Sequence, residues 1–474
     1  MAEQQVLAGT GTSVEAVALQ SSTLETFRAT LRGTLLRPGD AEYDAARKVW
    51  NGTIDRRPAL IVRCAGVADV MQAVTFARGH GLPISIRGGG HNVAGNAVCD
   101  GGVTLDLSRM KGMRVDPAQQ TARAEAGLTW GEFDRETQTF GLATTGGAIS
   151  TTGIAGLTLG GGWGWLARSY GLASDNLLSA DVVTADGRFI TASANEHPEL
   201  FWGVRGGGGN FGVTTSFEYR LHRVGPVLAG LVLHPFEAAK DLLRFYREFT
   251  ATEPDELATY AVLTSSPEGI PVAALAACYN GVLENGDRAL RPRRAFGSPL
   301  ADGIAPMPYT VAQSMLDASY PFGLHSYWKS NFLVELSDSA IDIMIAYCAN
   351  RPTPLCHVAI EELGGAVSRR RHEETAFSHR DARYSLLIFG VCTVADELEP
   401  CTRWAREFWA AMQPFSSSAV YVNYLGQEAE EGVDRILAAY GPEKYERLLA
   451  LKNTYDPINV FRFNQNIRPA TNNG

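Results

Sequence analysis

The sequence predicts an α+β protein of two or three folding units, on three observations. Its 474 residues exceed one ordinary domain and leave ample material for a core. The local pattern changes near residue 224, from short strands set among glycines to long helices alternating with strand-like runs. Glycine is also unevenly spread, with 27 of the 49 falling in residues 81–220.

The elements follow in order. Residues 60–62, 67–78 and 83–87 read as strand, helix and strand with short connections, an α/β unit. Further short strands are predicted at 103–107, 121–126, 181–185 and 189–192, with a helix at 129–140 among them. Beyond 224, helices are predicted at 238–249, 337–349 and 401–412. Strands at 259–264, 272–279, 332–336, 357–362 and 384–391 alternate with them. Long helices beside such strands predict an antiparallel sheet with helices on one face. The tail from 440 reads as a helix stopping at Asp456-Pro457, then an extended stretch to Asn464.

Composition narrows the function. Lys plus Arg is 42 against 51 Asp plus Glu, a formal charge of −9, which argues against nucleic-acid or anionic-lipid partners. No run of about 18 apolar residues occurs, so no membrane helix is expected. Residues 1–20 lack a basic start followed by an apolar run, so a cytoplasmic location is expected, with a loosely ordered beginning. The seven cysteines are odd in number and form no C-x-x-C pair, which indicates neither a metal centre nor a disulfide framework.

Three glycine segments stand out. The first, Arg87-Gly88-Gly89-Gly90-His91-Asn92, follows a predicted strand, where successive N–H groups can curl around a pyrophosphate with the histidine at the lip. A histidine capping a turn is the alternative, and the flanking triplet weighs against it. The second runs from Thr145-Gly146-Gly147 through Gly153 and Gly156 to Gly160-Gly161-Gly162-Trp163-Gly164. So many glycines predict irregular backbone wrapped along an extended ligand. The third, Gly206-Gly207-Gly208-Gly209-Asn210-Phe211-Gly212, contains G-x-G-x-x-G, but 213–221 reads as a strand rather than a glycine-opened helix. A nicotinamide-dependent dehydrogenase rests on that match alone.

In this order and spacing, the segments resemble FAD-linked oxidases of the vanillyl-alcohol-oxidase type, in the berberine-bridge-enzyme-like branch. Tyr421-Val422-Asn423-Tyr424 and Phe463-Asn464-Gln465-Asn466-Ile467 complete the match. The resemblance implies a two-part PCMH-type FAD-binding domain with an inserted substrate domain of antiparallel sheet covered by helices. Its expected boundaries are a poorly ordered N-terminus and lead-in at 1–35, FAD domain at 36–224, substrate domain at 225–418 and a completing segment at 419–474. It implies a covalent bond from His91 to the flavin 8α-carbon. The second, cysteinyl link of many relatives falls on Ile149 here and is therefore expected to be absent. Cys99 is near in sequence but off the motif. The implied cofactor contacts are Arg87, Gly88, Gly89, Gly90, Asn92, Gly95, Gly146, Gly147, Thr152, Gly153, Gly156, Gly160, Gly161, Gly209, Gly212, Val213, Asn464 and Asn466.

The resemblance further implies oxidation of a small-molecule C–H, in an alcohol, sugar or natural product, with O2 as final acceptor and H2O2 as product. Tyr421 is the expected base or proton relay, with Tyr424 in reserve. A strand there would put Tyr421 and Asn423 on one face and Tyr424 on the other. A core tyrosine with a satisfied hydroxyl is the alternative. Leu387 stands where berberine-forming relatives carry a polar base. One of Glu361 and Glu362 is expected to point inward, although a surface pair would read the same. Trp163 is expected on the substrate side, or else in the core. Small residues at Gly147 and Thr152 favour access of oxygen. Thr152 with Leu157 also resembles enzymes that oxygenate polyketides through a flavin N5-oxide, the second enzymatic reading.

Overall fold

In the computed structural model, which describes residues 4–5, 19–417, 419–426 and 432–470, the α/β unit begins the first sheet. Residues 1–3 and 6–18 of the segment expected to be loosely ordered, and residue 418 at an expected boundary, lie outside the described residues. The lead-in is ordered sooner than expected. Helix Ser21–Thr30 buries Leu24 and Phe27, and Phe27 stacks on Phe76 at 3.9 Å.

The first sheet orders Thr34–Leu36, Leu60–Arg63, Val103–Asp106 and Ile84–Arg87 side by side. Its last three strands are parallel, and helix Val67–Gly79 is the crossover from Leu60–Arg63 to Ile84–Arg87, with Val103–Asp106 inserted between those two. A five-stranded antiparallel sheet follows, in the order Phe189–Ser193, Leu177–Val183, Val213–Arg220, Thr121–Glu125, Met113–Asp116. Helix Trp130–Gln138 starts where Glu132 reaches back to accept the Thr129 N–H at 2.9 Å.

The largest sheet, eight-stranded among the described residues, is antiparallel throughout. Its main path runs Ala301–Asp302, Val227–Pro235, Pro271–Tyr279, Leu257–Ser265, His357–Glu362, Tyr384–Cys392, His325–Leu333. Side-chain alternation divides its two faces. Ala261, Leu263, Val358, Ile360, Leu386 and Ile388 point into a core closed by helices Ala239–Thr250, Asp338–Ala349 and Leu398–Met412. Their in-between neighbours Val262, Ala359, Leu387 and Phe389 form a second cluster on the opposite face. Both faces are covered, which is why these strands read as nearly continuous apolar runs.

Several local readings need correction. Ile154–Leu159 is a short helix inside the second glycine segment, because a single internal glycine (Gly156, in open space) costs only about 1 kcal/mol. The strand read at 332–336 lies earlier, at His325–Leu333, and Val227–Pro235 is a strand that the sequence reading passed over. The run Val422–Tyr424 is one turn of 3₁₀ helix, not a strand. A 3₁₀ turn eclipses positions i and i+3. Tyr421 and Tyr424 therefore sit on the same side, their rings 4.8 Å apart and perpendicular.

Candidate active site

The glycine segments, the inner face of the large sheet and the tail enclose a cavity of about 330 Å³, within the range of small-molecule sites. Strand Ile84–Arg87 delivers Gly88, Gly89, Gly90, His91 and Asn92 to its wall. Gly90 has φ +68°, a conformation that favours glycine. A Cβ on Gly89 would stand 2.4 Å from the Gly153 nitrogen, so the first two segments meet backbone against backbone. Gly147, Thr152, Gly153 and Gly156 line the cavity from the second segment, and Gly209, Gly212 and Val213 from the third. The tail adds Asn464, whose Nδ2 donates to the Gly209 carbonyl at 3.1 Å.

Other expected contacts act from behind the wall. Gly146 packs on the Trp130 ring, Gly160 on Asn423 and Gly161 on Phe377, where a Cβ would collide with each. Gly95 turns the chain at φ +68° against Ile54. Arg87 donates to the Ala46 carbonyl, and Asn466 lies off the lining. None of these six is on the cavity lining. The G-x-G-x-x-G match leads into Val213–Arg220, antiparallel to both neighbours, so no dinucleotide-type βαβ unit exists there.

Glu361 is the chemical centre of the wall. Strand His357–Glu362 points it inward, opposite Tyr260 on one neighbouring strand and Ser385 on the other. Its carboxylate accepts the Trp163 indole N–H at 3.1 Å and the Tyr424 hydroxyl at 3.1 and 3.2 Å. Burial pushes its pKa up to about 7, against the opposing pull of hydrogen bonds from Trp163, Ser385 and Tyr424. Glu362 faces the other way and pairs with buried Arg168. Trp163 and Leu387 also line the cavity.

Tyr421 stands behind the wall rather than on it. Its hydroxyl oxygen accepts the Gly162 N–H at 2.8 Å and an Asn423 N–H at 2.7 Å. Its ring stacks on Trp163 at 3.8 Å, and burial raises its pKa. It is a buried support for Trp163, and Tyr424 is the tyrosine at the cavity.

Sequence reading missed Tyr260, Val262, Tyr320, Trp328, Ala359 and Phe389, all on the wall. Alternation from Glu361 and Leu387 would have found Ala359 and Phe389. Trp328 falls outside any predicted strand.

Residues 58–193 match the FAD binding domain family and residues 420–468 the berberine and berberine-like family. An FAD-linked oxidoreductase of Dictyostelium discoideum is 33% identical over 451 residues, 94% of this chain and 97% of its own. (R)-6-hydroxynicotine oxidase of Paenarthrobacter nicotinovorans is 33% identical over 447 residues, 93% of this chain and 97% of its own. The chain belongs to the berberine-like family of FAD-linked oxidoreductases. The structure of 6-hydroxy-D-nicotine oxidase from Arthrobacter nicotinovorans superposes with a TM-score of 0.84 at 32% identity, covering 93% of this chain and 98% of that one. Physcomitrella patens BBE-like 1 gives 0.86 at 25% identity, covering 94% and 99%.

The cavity fits FAD. Its glycine-lined end leaves backbone accessible where a side chain would intrude, and the buried Oδ1 of Asn464 has no protein partner. The strand-end curl at Gly88–Gly90 suits a pyrophosphate. His91 stands on the same wall, stacked on Trp50 at 4.8 Å, with Nε2 3.2 Å from the Thr151 hydroxyl. Burial pushes its pKa down to about 4, so the imidazole is neutral and nucleophilic at pH 7. Ile149 lines the cavity, whereas Cys99 is buried elsewhere, off the lining. Among the described residues no cluster of three or more potential ligands could hold a metal, and no helix is long and apolar enough to cross a membrane.

Proposed function

We propose that the protein is an oxidase that carries FAD on His91 through a single bond and oxidises a carbinol carbon held against Glu361. The observation that carries this reading is a buried carboxylate with a pKa of about 7, on the wall of the cavity that also holds His91 and the glycine cradle. Bound FAD supplies the acceptor for a hydride from the substrate and for its discharge to O2 as H2O2. Glu361 takes the carbinol proton onto a carboxylate oxygen, a role suited to a base poised near neutrality. Tyr424 and Trp163 donate to that carboxylate, fix its orientation and favour its ionised form. Apolar Ala359 and Leu387, in the row next to Glu361, exclude water from the substrate body.

The test has two parts. Peroxide release with a panel of alcohols is expected for the native protein, and flavin fluorescence is expected to stay with the chain on a denaturing gel. His91→Ala should free that fluorescence; persistence would refute the attachment. Incorporation of oxygen from O2 into the product without peroxide would replace this reading with the oxygenase one, which the placement of Thr152 and Leu157 on the wall also suits.

A further inference from the structure

Strand register arranges the substrate side of the cavity in three rows. Tyr260 and Glu361 form the first; Val262, Ala359 and Leu387 stand opposite one another in the second. Phe389 opposes Trp328 in the third. From Glu361 to the row of Phe389 is four residues along the strands, roughly 14 Å at about 3.4 Å per residue. Val262, Ala359 and Leu387, the middle-row residues on the cavity lining, carry no polar side-chain atom; Ser330, which continues the row beyond Leu387, is off the lining. Trp328 meets the Phe389 ring at 4.9 Å, nearly perpendicular, so the far row is aromatic.

Two buried donors on this wall have no partner among the described residues: the Tyr260 hydroxyl, on a residue only 5% exposed, and the Trp328 indole N–H. Tyr320 supplies no third donor. Its hydroxyl lies 2.9 Å from His357 Nε2, and because Nδ1 faces the Leu355 carbonyl at 2.8 Å, Nε2 of the neutral ring is the acceptor. Among the described residues, no Lys or Arg lines the cavity.

We infer that the substrate is a flat, fused-ring carbinol without anionic groups, bearing an acceptor oxygen at the end remote from its reacting hydroxyl. The inference rests on the oxidase reading of the same site. The ring body lies across Val262, Ala359 and Leu387, the reacting oxygen meets Tyr260 and Glu361, and the remote oxygen accepts from Trp328. A sugar is disfavoured because its ring hydroxyls would face the apolar middle row without partners. An anionic substrate is disfavoured because it would meet a carboxylate and no cation.

The test uses the flavin-loaded protein and non-reacting, product-like ketones, so that binding is read separately from turnover. Perturbation of the visible spectrum is titrated with a fused-ring ketone carrying a second, remote oxygen, with the same ring system lacking it, and with glucose and cellobiose. The remote oxygen is expected to tighten Kd about five- to tenfold, Trp328→Phe to erase that difference, and the sugars to bind more weakly than either ketone. An unchanged ratio in Trp328→Phe, or tighter binding of a sugar, overturns the inference. Should Trp328→Phe fail to retain flavin, Ala359→Leu provides the readout: narrowing the apolar row should weaken both ketones at least tenfold, and unchanged affinity overturns the inference. Ketone binding with this pattern but no peroxide from any carbinol would refute the oxidase reading while leaving the recognition rule intact.

Discussion

Tyr424→Phe removes one hydroxyl and keeps the ring that packs at right angles against Tyr421 and Trp163. The lost hydrogen bond, at 3.1 and 3.2 Å, is given to a carboxylate, and bonds to charged groups are worth about 1.5–3 kcal/mol. It favours the ionised form of Glu361, so its loss should raise a pKa that stands at about 7. At 1.36 kcal/mol per unit, the increase is roughly 1–2 units, toward the lower figure if water enters the vacated space. A base works only when ionised, so activity falls as pH drops through this pKa. The acid limb of the profile should therefore move to higher pH in the variant. The assay is the rate of anaerobic flavin bleaching by substrate from pH 5 to 10, which removes oxygen from the kinetics. An acid limb that stays in place would mean that Glu361 is not the titrating base. A shifted limb with an unchanged plateau would make Tyr424 an orienting group, whereas a collapsed plateau would give it a share of the proton transfer.

Other consequences are open to measurement. Glu361→Gln should lower the bleaching rate by about 10²- to 10⁴-fold, the usual worth of a general base, while keeping the protein yellow; native rates would remove Glu361 from the chemistry. Gly89→Ala puts a methyl 2.4 Å from the Gly153 nitrogen, backbone that cannot swing aside, so the flavin-to-protein absorbance ratio of the purified variant should fall well below native. Arg380→Ala leaves the buried Asp175 carboxylate without its two-pronged partner at 2.7 and 2.9 Å. Breaking such a pair costs about 3–5 kcal/mol, to be read as a lower Tm in a thermal melt.

Much of this site was written locally in the chain. Runs such as Gly88-Gly89-Gly90-His91 announce a cradle because glycine clusters have few other uses, and the sheet strands at Thr121, His357 and Tyr384 show in their own residues. What escaped depends on contacts distant in sequence. Tyr424 rather than Tyr421 reached the cavity wall because one helical turn replaced an extended run, and nothing within four residues determines that choice. It is set by Gly162 and Leu157, which meet this turn through the Tyr421 hydroxyl and Asn423. Glu361 and Glu362 are chemically identical neighbours; only the sheet's two covered faces decide that one meets the cavity and the other Arg168. Tyr260 and Trp328 gave no signal because their hydrogen-bonding atoms are conspicuous only once burial has removed every alternative partner.

The closure between Asn464 and the Gly209 carbonyl has a consequence for biogenesis. These partners are 255 residues apart, so during translation the cradle emerges long before the strand of tail that seals it. Capture of the proposed FAD is thereby expected to wait until the segment around Asn464 has emerged, and a ribosome stalled short of it would leave a nascent chain with an unsealed, leaky crevice rather than a half-active enzyme.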